Sequence, residues 1–153
     1  MAYTYSHLED YITDLLKDIH IFHPWQLTLD IVAHNLMKEI HYLPYPSMCI
    51  EGEIFLNQRA SYTKQWQDFA HELGHARLHE GDQALMSAMQ KDYQEYKAEN
   101  FALHFCIPSF MLQNMTFTEY TQDPIWRLQE TFGVDKEFAK KRWEQYTRKL
   151  IYS

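Results

Sequence analysis

His71-Glu72-Leu73-Gly74-His75 sits inside a helical pattern, and the reading of this pentapeptide decides the rest of the chain. On an α-helix, residues four apart lie one turn up and about 40° round the axis. The two imidazoles therefore share a face and can share one metal ion. Neutral imidazole nitrogens suit Zn²⁺, which takes tetrahedral N, S and O donors. Glu72, one position round from His71, can act on an attacking water without being a ligand. The chemistry reads as metal-assisted hydrolysis with Glu72 as general base. The bland alternative is a solvated amphipathic helix that carries two histidines by chance.

Working outward, Ser61 caps this helix, Trp66, Phe69, Ala70 and Leu73 give it an apolar side, and Gly81 reads as its stop. Upstream the hydrophobic period changes to that of strands. Residues 40–43, 47–51 and 53–57 read as three short strands, with Gly52 at a tight turn, forming a small antiparallel sheet. Before them, Ser6 and Glu9 make a capping box for a helix at 7–19, and after a break at His23-Pro24 a second helix runs from Leu29 to near Met37. Downstream, a polar stretch leads to a helix at about 91–106 stopped by Pro108. Asp123-Pro124 opens a short helix closed by Gly133, and Asp135 opens a last one. The expected fold is α+β: a mainly helical, zincin-like domain with a small three-stranded sheet preceding the active-site helix. One domain is expected over 1–153, with about 120–153 a C-terminal helical pair that is a candidate substrate-docking region.

Composition agrees with one ordinary domain. The 153 residues are 46% hydrophobic and 23% charged, which is globular rather than disordered. A net charge of -7 argues against binding along a nucleic-acid backbone. The acidity is uneven: residues 136–149 carry six basic and two acidic side chains, read as a solvated surface helix. The C-terminal pair resembles a helix-turn-helix superficially, but Ile125, Leu128, Phe132, Val134, Phe138 and Trp143 explain it by packing. Cys49 and Cys106 are too few and too far apart for a disulfide framework or a metal pair, and both read as buried free thiols. The acidic, amphipathic N-terminus lacks a signal-peptide layout, and no stretch reaches the ~20 apolar residues of a membrane span. A soluble, cytoplasmic protein with no membrane and no direct nucleic-acid partner is the expectation.

A catalytic zinc needs a third protein ligand and one open position. His79 is eight residues from His71, about 12 Å along a straight helix, so it reads as a helix-end side chain. A third histidine six residues beyond His75 would mark the metzincins, but that position is Gly81. The 91–106 helix offers Glu95 and Glu99 on one face, beside an apolar stripe of Ala98, Phe101, Ala102 and Phe105 suited to packing on the zinc helix. In Glu-type zincins one acidic residue of a second helix binds the metal and the residue a turn later orients a ligand histidine. Glu95 as ligand and Glu99 behind it follow that order, with Asp92 and Glu80 as weaker alternatives. Tyr62, Tyr93, Tyr96 and His104 are the nearby candidates for an oxyanion donor, and none stands out.

HELGHARLH at 71–79 and EYKAENFALHFCIP at 95–108 together resemble the ImmA/IrrE-type metallopeptidases of bacteria and their mobile elements. Their pattern is a strand, a HELGHxxLH helix, then a helix reading roughly E-x-E-A-N-x-F-A-A-x-L-L-M-P. The resemblance implies one Zn²⁺ held by His71, His75 and Glu95, with Glu72 as base. Glu99 falls where the family usually has Asn, Asp or Ser, so its carboxylate either orients His71 or competes with Glu95. The resemblance also implies a site-specific cut in a helix-turn-helix repressor, relieving repression of a prophage, mobile element or stress regulon. The alternative is a non-catalytic antirepressor that binds the repressor and uses zinc structurally. Glu53–Asn57, ahead of the zinc helix, is the candidate edge strand for substrate backbone, against the plainer reading of an inner strand.

Overall fold

The computed structural model describes residues 3–78, 87–118 and 123–152. The chain opens with α1 (His7–Asp18), whose capping box is made by Ser6 and Glu9, followed by a single 3-10 turn at Pro24–Gln26 and by α2 (Leu29–Asn35). Three strands come next: β1 (Ile40–Leu43), β2 (Met48–Ile50) and β3 (Glu53–Asn57). Then come α3 (Tyr62–Leu78), α4 (Ala88–Cys106), α5 (Ser109–Gln113), α6 (Pro124–Phe132) and α7 (Lys136–Ile151). This is the expected α+β architecture, mainly helical with a small sheet just before the helix that carries the histidines. His79, Glu80 and Gly81, read above as helix-end side chain, minor ligand candidate and helix stop, lie outside the described residues.

The sheet differs from the antiparallel expectation. Its order is β1-β3-β2, with β2 antiparallel and β1 parallel to β3. Glu51 and Gly52 both have positive φ, 51° and 79°. A two-residue hairpin needs that conformation at both positions to match the strand twist, so β2 and β3 pair locally. Pro44 and Pro46 occupy the β1–β2 connection, where their missing N–H groups oppose a second hairpin. Strand β1 therefore reaches the far side of β3. That makes β3 an inner strand, with Ile54 and Leu56 fully buried, and leaves β2 as an edge strand among the described residues. The plainer reading of Glu53–Asn57 is the correct one.

Helices α3 and α4 form the centre of the core. Trp66, Phe69 and Leu73 on α3 meet Phe101, Ala102 and Phe105 on α4, and Phe101 stacks on Phe105 with centroids 5.4 Å apart. Pro108 ends α4 as expected but also starts α5 one residue later, a short helix the apolar pattern does not announce. The C-terminal pair begins and turns where expected. Asp135 caps α7 by accepting from Phe138 N, and Gly133 adopts a left-handed conformation at φ 65° to close α6.

The basic last helix is not simply a solvated face. Arg142 is 1% exposed, and its guanidinium donates to the Ile107 carbonyl at 2.9 Å and to Ser109 Oγ at 2.8 Å. Buried Glu9 on α1 accepts from Ser109 and pairs with Lys149. One polar network thus ties α1, α5 and α7 together, and each charge it buries has a partner. Among the described residues, no helix is long and apolar enough to cross a membrane.

Candidate active site

The geometry that assembles the site starts at Gly74. A Cβ built there would lie 3.1 Å from Phe101 Cδ1 and 3.2 Å from both Cα and O of Ala98. Any Cβ here would have to push its neighbours back by a few tenths of an ångström, so the glycine favours this close approach of α3 and α4. Glu95 stands one turn before Ala98 on α4, so the close contact carries its carboxylate to the histidines. Glu95 Oε2 lies 2.9 Å from His71 Nε2, and Oε1 lies 2.8 Å from His75 Nε2. The two imidazoles stand edge to face with centroids 5.0 Å apart. One ligand atom from each of the three residues falls within 4.8 Å of the others, and this is the group able to hold a metal among the described residues.

The donor set fits zinc. It offers two imidazole nitrogens and one carboxylate oxygen, the three-ligand arrangement that leaves a coordination position open. A ligand imidazole must be neutral, and burial lowers the pKa of His75 even though Glu95 opposes the shift.

Glu72 is placed differently. It is 8% exposed, lines the same cavity, and has no hydrogen-bond or ion-pair partner among the described residues. Burial, reinforced by the nearby charges of Glu95 and Asp68, pushes its carboxyl up to about 7. A carboxyl near neutrality both accepts and returns a proton at physiological pH, and a divalent cation beside it would counter this shift.

The cavity, about 1300 Å³, is walled by β2, α3, α4 and α7. Gln67 and Asp135 fix the α7 wall: Gln67 Nε2 donates to Asp135 Oδ2 at 2.9 Å, and Asp135 N donates to Gln67 Oε1 at 2.7 Å. Gln67 is one turn before His71, so this reciprocal pair clamps the start of α7 onto the histidine helix. On the strand side, Ser47 Oγ donates to Asp68 Oδ2 at 3.1 Å and accepts from Asn57 N at 3.0 Å.

Among the residues singled out from sequence, the structure brings His71, His75 and Glu95 into one group with Glu72 beside them. Glu99 lies on the cavity wall, where its Oε1 accepts from Lys141 Nζ at 2.8 Å. The role of orienting a ligand histidine thus meets a competing partner supplied by α7. Asp92 is not among the residues lining the cavity. The oxyanion candidates lie elsewhere too. The Tyr62 hydroxyl accepts from Leu29 N, Tyr93 and Tyr96 are outside the cavity lining, and His104 Nδ1 donates to the Asn100 carbonyl. Cys106 is buried as expected, but Cys49 is only half-buried and lines the cavity from the β2 edge. Sequence reasoning also missed Gln67, Asp135 and Lys141. Their partners are tens of residues away, and only the Asp135 cap gave a local signal.

A family profile described as the IrrE N-terminal-like domain, a peptidase family, matches residues 11–144. The chain is 40% identical to YqaB, an uncharacterized protein of Bacillus subtilis strain 168, over 98% of this chain and 90% of that one. It is 34% identical to XkdA, a protein of the phage-like element PBSX of the same strain, over 94% of this chain and 75% of the other. With the match covering both motif helices and the sheet before them, the chain belongs to the ImmA/IrrE metallopeptidase family, the group of IrrE N-terminal-like domains.

Proposed function

We propose that this protein is a zinc-dependent endopeptidase that makes a site-specific cut in a helix-turn-helix repressor and so relieves repression of a mobile element, prophage or stress regulon. The observation that carries the peptidase reading is the pairing, in one cavity, of a three-donor group with a buried Glu72 that has no partner among the described residues. A zinc site serving only the fold is closed by four protein ligands and has no use for such a carboxylate. The relative from a phage-like element supports the mobile-element setting.

His71, His75 and Glu95 would hold the metal, which when bound supplies Lewis-acid polarisation at the scissile carbonyl. Glu72 takes the proton from the attacking water and returns it to the leaving amine. The outer edge of β2, which pairs with no strand among the described residues, runs along the cavity, and an extended substrate segment can add to it as a strand. The clamp between Gln67 and Asp135 keeps the opposite wall fixed against the histidine helix.

The test is to incubate the zinc-loaded protein with the repressor encoded beside its gene and to identify the products by mass spectrometry. Two fragments from one cut support the proposal. Release of DNA by a repressor that stays full length would instead make the protein a non-catalytic antirepressor.

A further inference from the structure

The cavity concentrates negative charge. Among the described residues that line it are seven carboxylates and two lysines, a surplus of five in a chain whose net charge is -7. Both lysines are already committed. Lys64 Nζ lies 2.6 Å from Asp68 Oδ1, and Lys141 Nζ lies 2.8 Å from Glu99 Oε1. Asp135 uses both oxygens, one for Gln67 and one for the Phe138 amide, and Glu95 stands between two imidazoles.

Three carboxylates remain without a hydrogen-bond or ion-pair partner among the described residues: Glu51, Glu72 and Glu137. Glu72 is nine-tenths buried and faces the cavity. Glu51 is exposed and fixed by the β2–β3 turn, next to the outer edge of β2. Glu137 is exposed on the first turn of α7. Two rim carboxylates thus come from two different walls. A single divalent cation offsets only two of the five surplus charges.

We propose that the cavity selects a substrate segment bearing lysine or arginine on the residues flanking the scissile bond, with Glu51 and Glu137 as the acceptors for those side chains. This rests on the peptidase reading and adds the substrate's charge to it. A cavity lined by one sign of charge focuses the field and raises the local concentration of the opposite sign, in a salt-dependent manner.

The test uses the full-length, zinc-loaded Glu72→Gln protein and three labelled peptides of about ten residues, long enough to span a strand edge. They are identical except for Lys, Gln or Glu on either side of a central apolar pair. Fluorescence anisotropy is expected to show the Lys peptide bound about tenfold more tightly than the Gln peptide at low salt. The Glu peptide should bind most weakly, and the gap should narrow as salt rises. Adding Glu51→Gln and Glu137→Gln should cut the Lys-over-Gln ratio severalfold. A control pair of exposed residues outside the cavity lining, Asp14→Asn with Glu130→Gln, removes the same net charge and should leave the ratio intact. Equal binding of the three peptides, binding of none, or a ratio indifferent to the rim substitutions would overturn the proposal. Cleavage by the wild-type protein separates the two claims. Equal cutting of all three peptides rejects charge selection and keeps the peptidase. A binding preference for Lys without cleavage of any peptide or repressor keeps charge selection and rejects the peptidase.

Discussion

Replacing Gly74 by alanine should loosen the metal site without unfolding the protein. The added Cβ meets one contact that can yield, Phe101 Cδ1 at 3.1 Å, and two that cannot yield alone, Cα and O of Ala98 at 3.2 Å. Those two atoms are backbone of α4, so the whole helix must move by a few tenths of an ångström to restore ordinary contact. Two energies oppose each other. Alanine gains about 1 kcal/mol over glycine inside a helix, while overpacking a tight core contact costs about 1–3 kcal/mol. The net is a loss of roughly 0–2 kcal/mol, or up to about 8 °C in Tm for a domain of this size. The consequence for zinc is larger in proportion. Glu95 rides on α4 one turn from the clash, and metal–ligand distances tolerate only about 0.2 Å. Zinc affinity should fall about tenfold or more, as it does when the shell supporting a ligand is disturbed. Competition with a chromogenic chelator measures the affinity, and thermal unfolding of the apo protein measures the stability. Adding Phe101→Leu should relieve the ring contact but not restore zinc binding, since the backbone contact persists. A Gly74→Ala protein more stable than wild type with unchanged zinc affinity would refute the idea that this contact sets the position of Glu95.

Other consequences follow from the network around α7. Arg142→Met strands the Ile107 carbonyl and Ser109 and removes a buried charge from a satisfied network; it should cost about 3–5 kcal/mol and lower Tm by at least about 6 °C. A Tm within about 2 °C of wild type would show the network to be dispensable. Burial alone would raise the Glu9 carboxyl, but hydrogen bonds from Lys149, Ser109, the Ser6 amide and Tyr3 outweigh it and hold the group at about 2, against an ordinary value of 4.5. A carboxyl depressed in the folded state stabilises it fully above its unfolded value, and that contribution, about 3 kcal/mol, is lost as pH falls from 4.5 toward 2. Glu9→Gln should therefore be less stable at pH 7 and lose less stability across that acid window, measured by urea unfolding at several pH values. An unchanged acid limb would contradict the role given to Glu9.

What could be read from the sequence was whatever the chain signals locally. The capping box at Ser6, the breaks at Pro24 and Pro108, and the Asp123 and Asp135 caps each act within four residues, and the corresponding elements sit where expected. The same holds for His71 and His75, which share a face by helix geometry alone. What escaped was non-local. The parallel pairing of Ile40 with Ile54 depends on where β1 travels after two prolines, not on the alternation of either strand. The pairing of Gln67 with Asp135 spans 68 residues, and that of Glu99 with Lys141 spans 42. Arg142 looks like one charge among six basic residues of its segment, and only the packing of α5 against α1 shows why it is buried. Cys49 reaches the cavity because all of β2 borders it, a consequence of the strand order β1-β3-β2 rather than of any local signal.

The central claim is that Glu72 is the proton acceptor beside a metal held by His71, His75 and Glu95. The most direct measurement is the cleavage rate of the repressor by Glu72→Gln, with zinc content determined on the same sample. The account predicts about one zinc per chain, as in wild type, and a rate lower by about 10²–10⁴-fold. Cleavage at the wild-type rate by a zinc-loaded Glu72→Gln protein would contradict it.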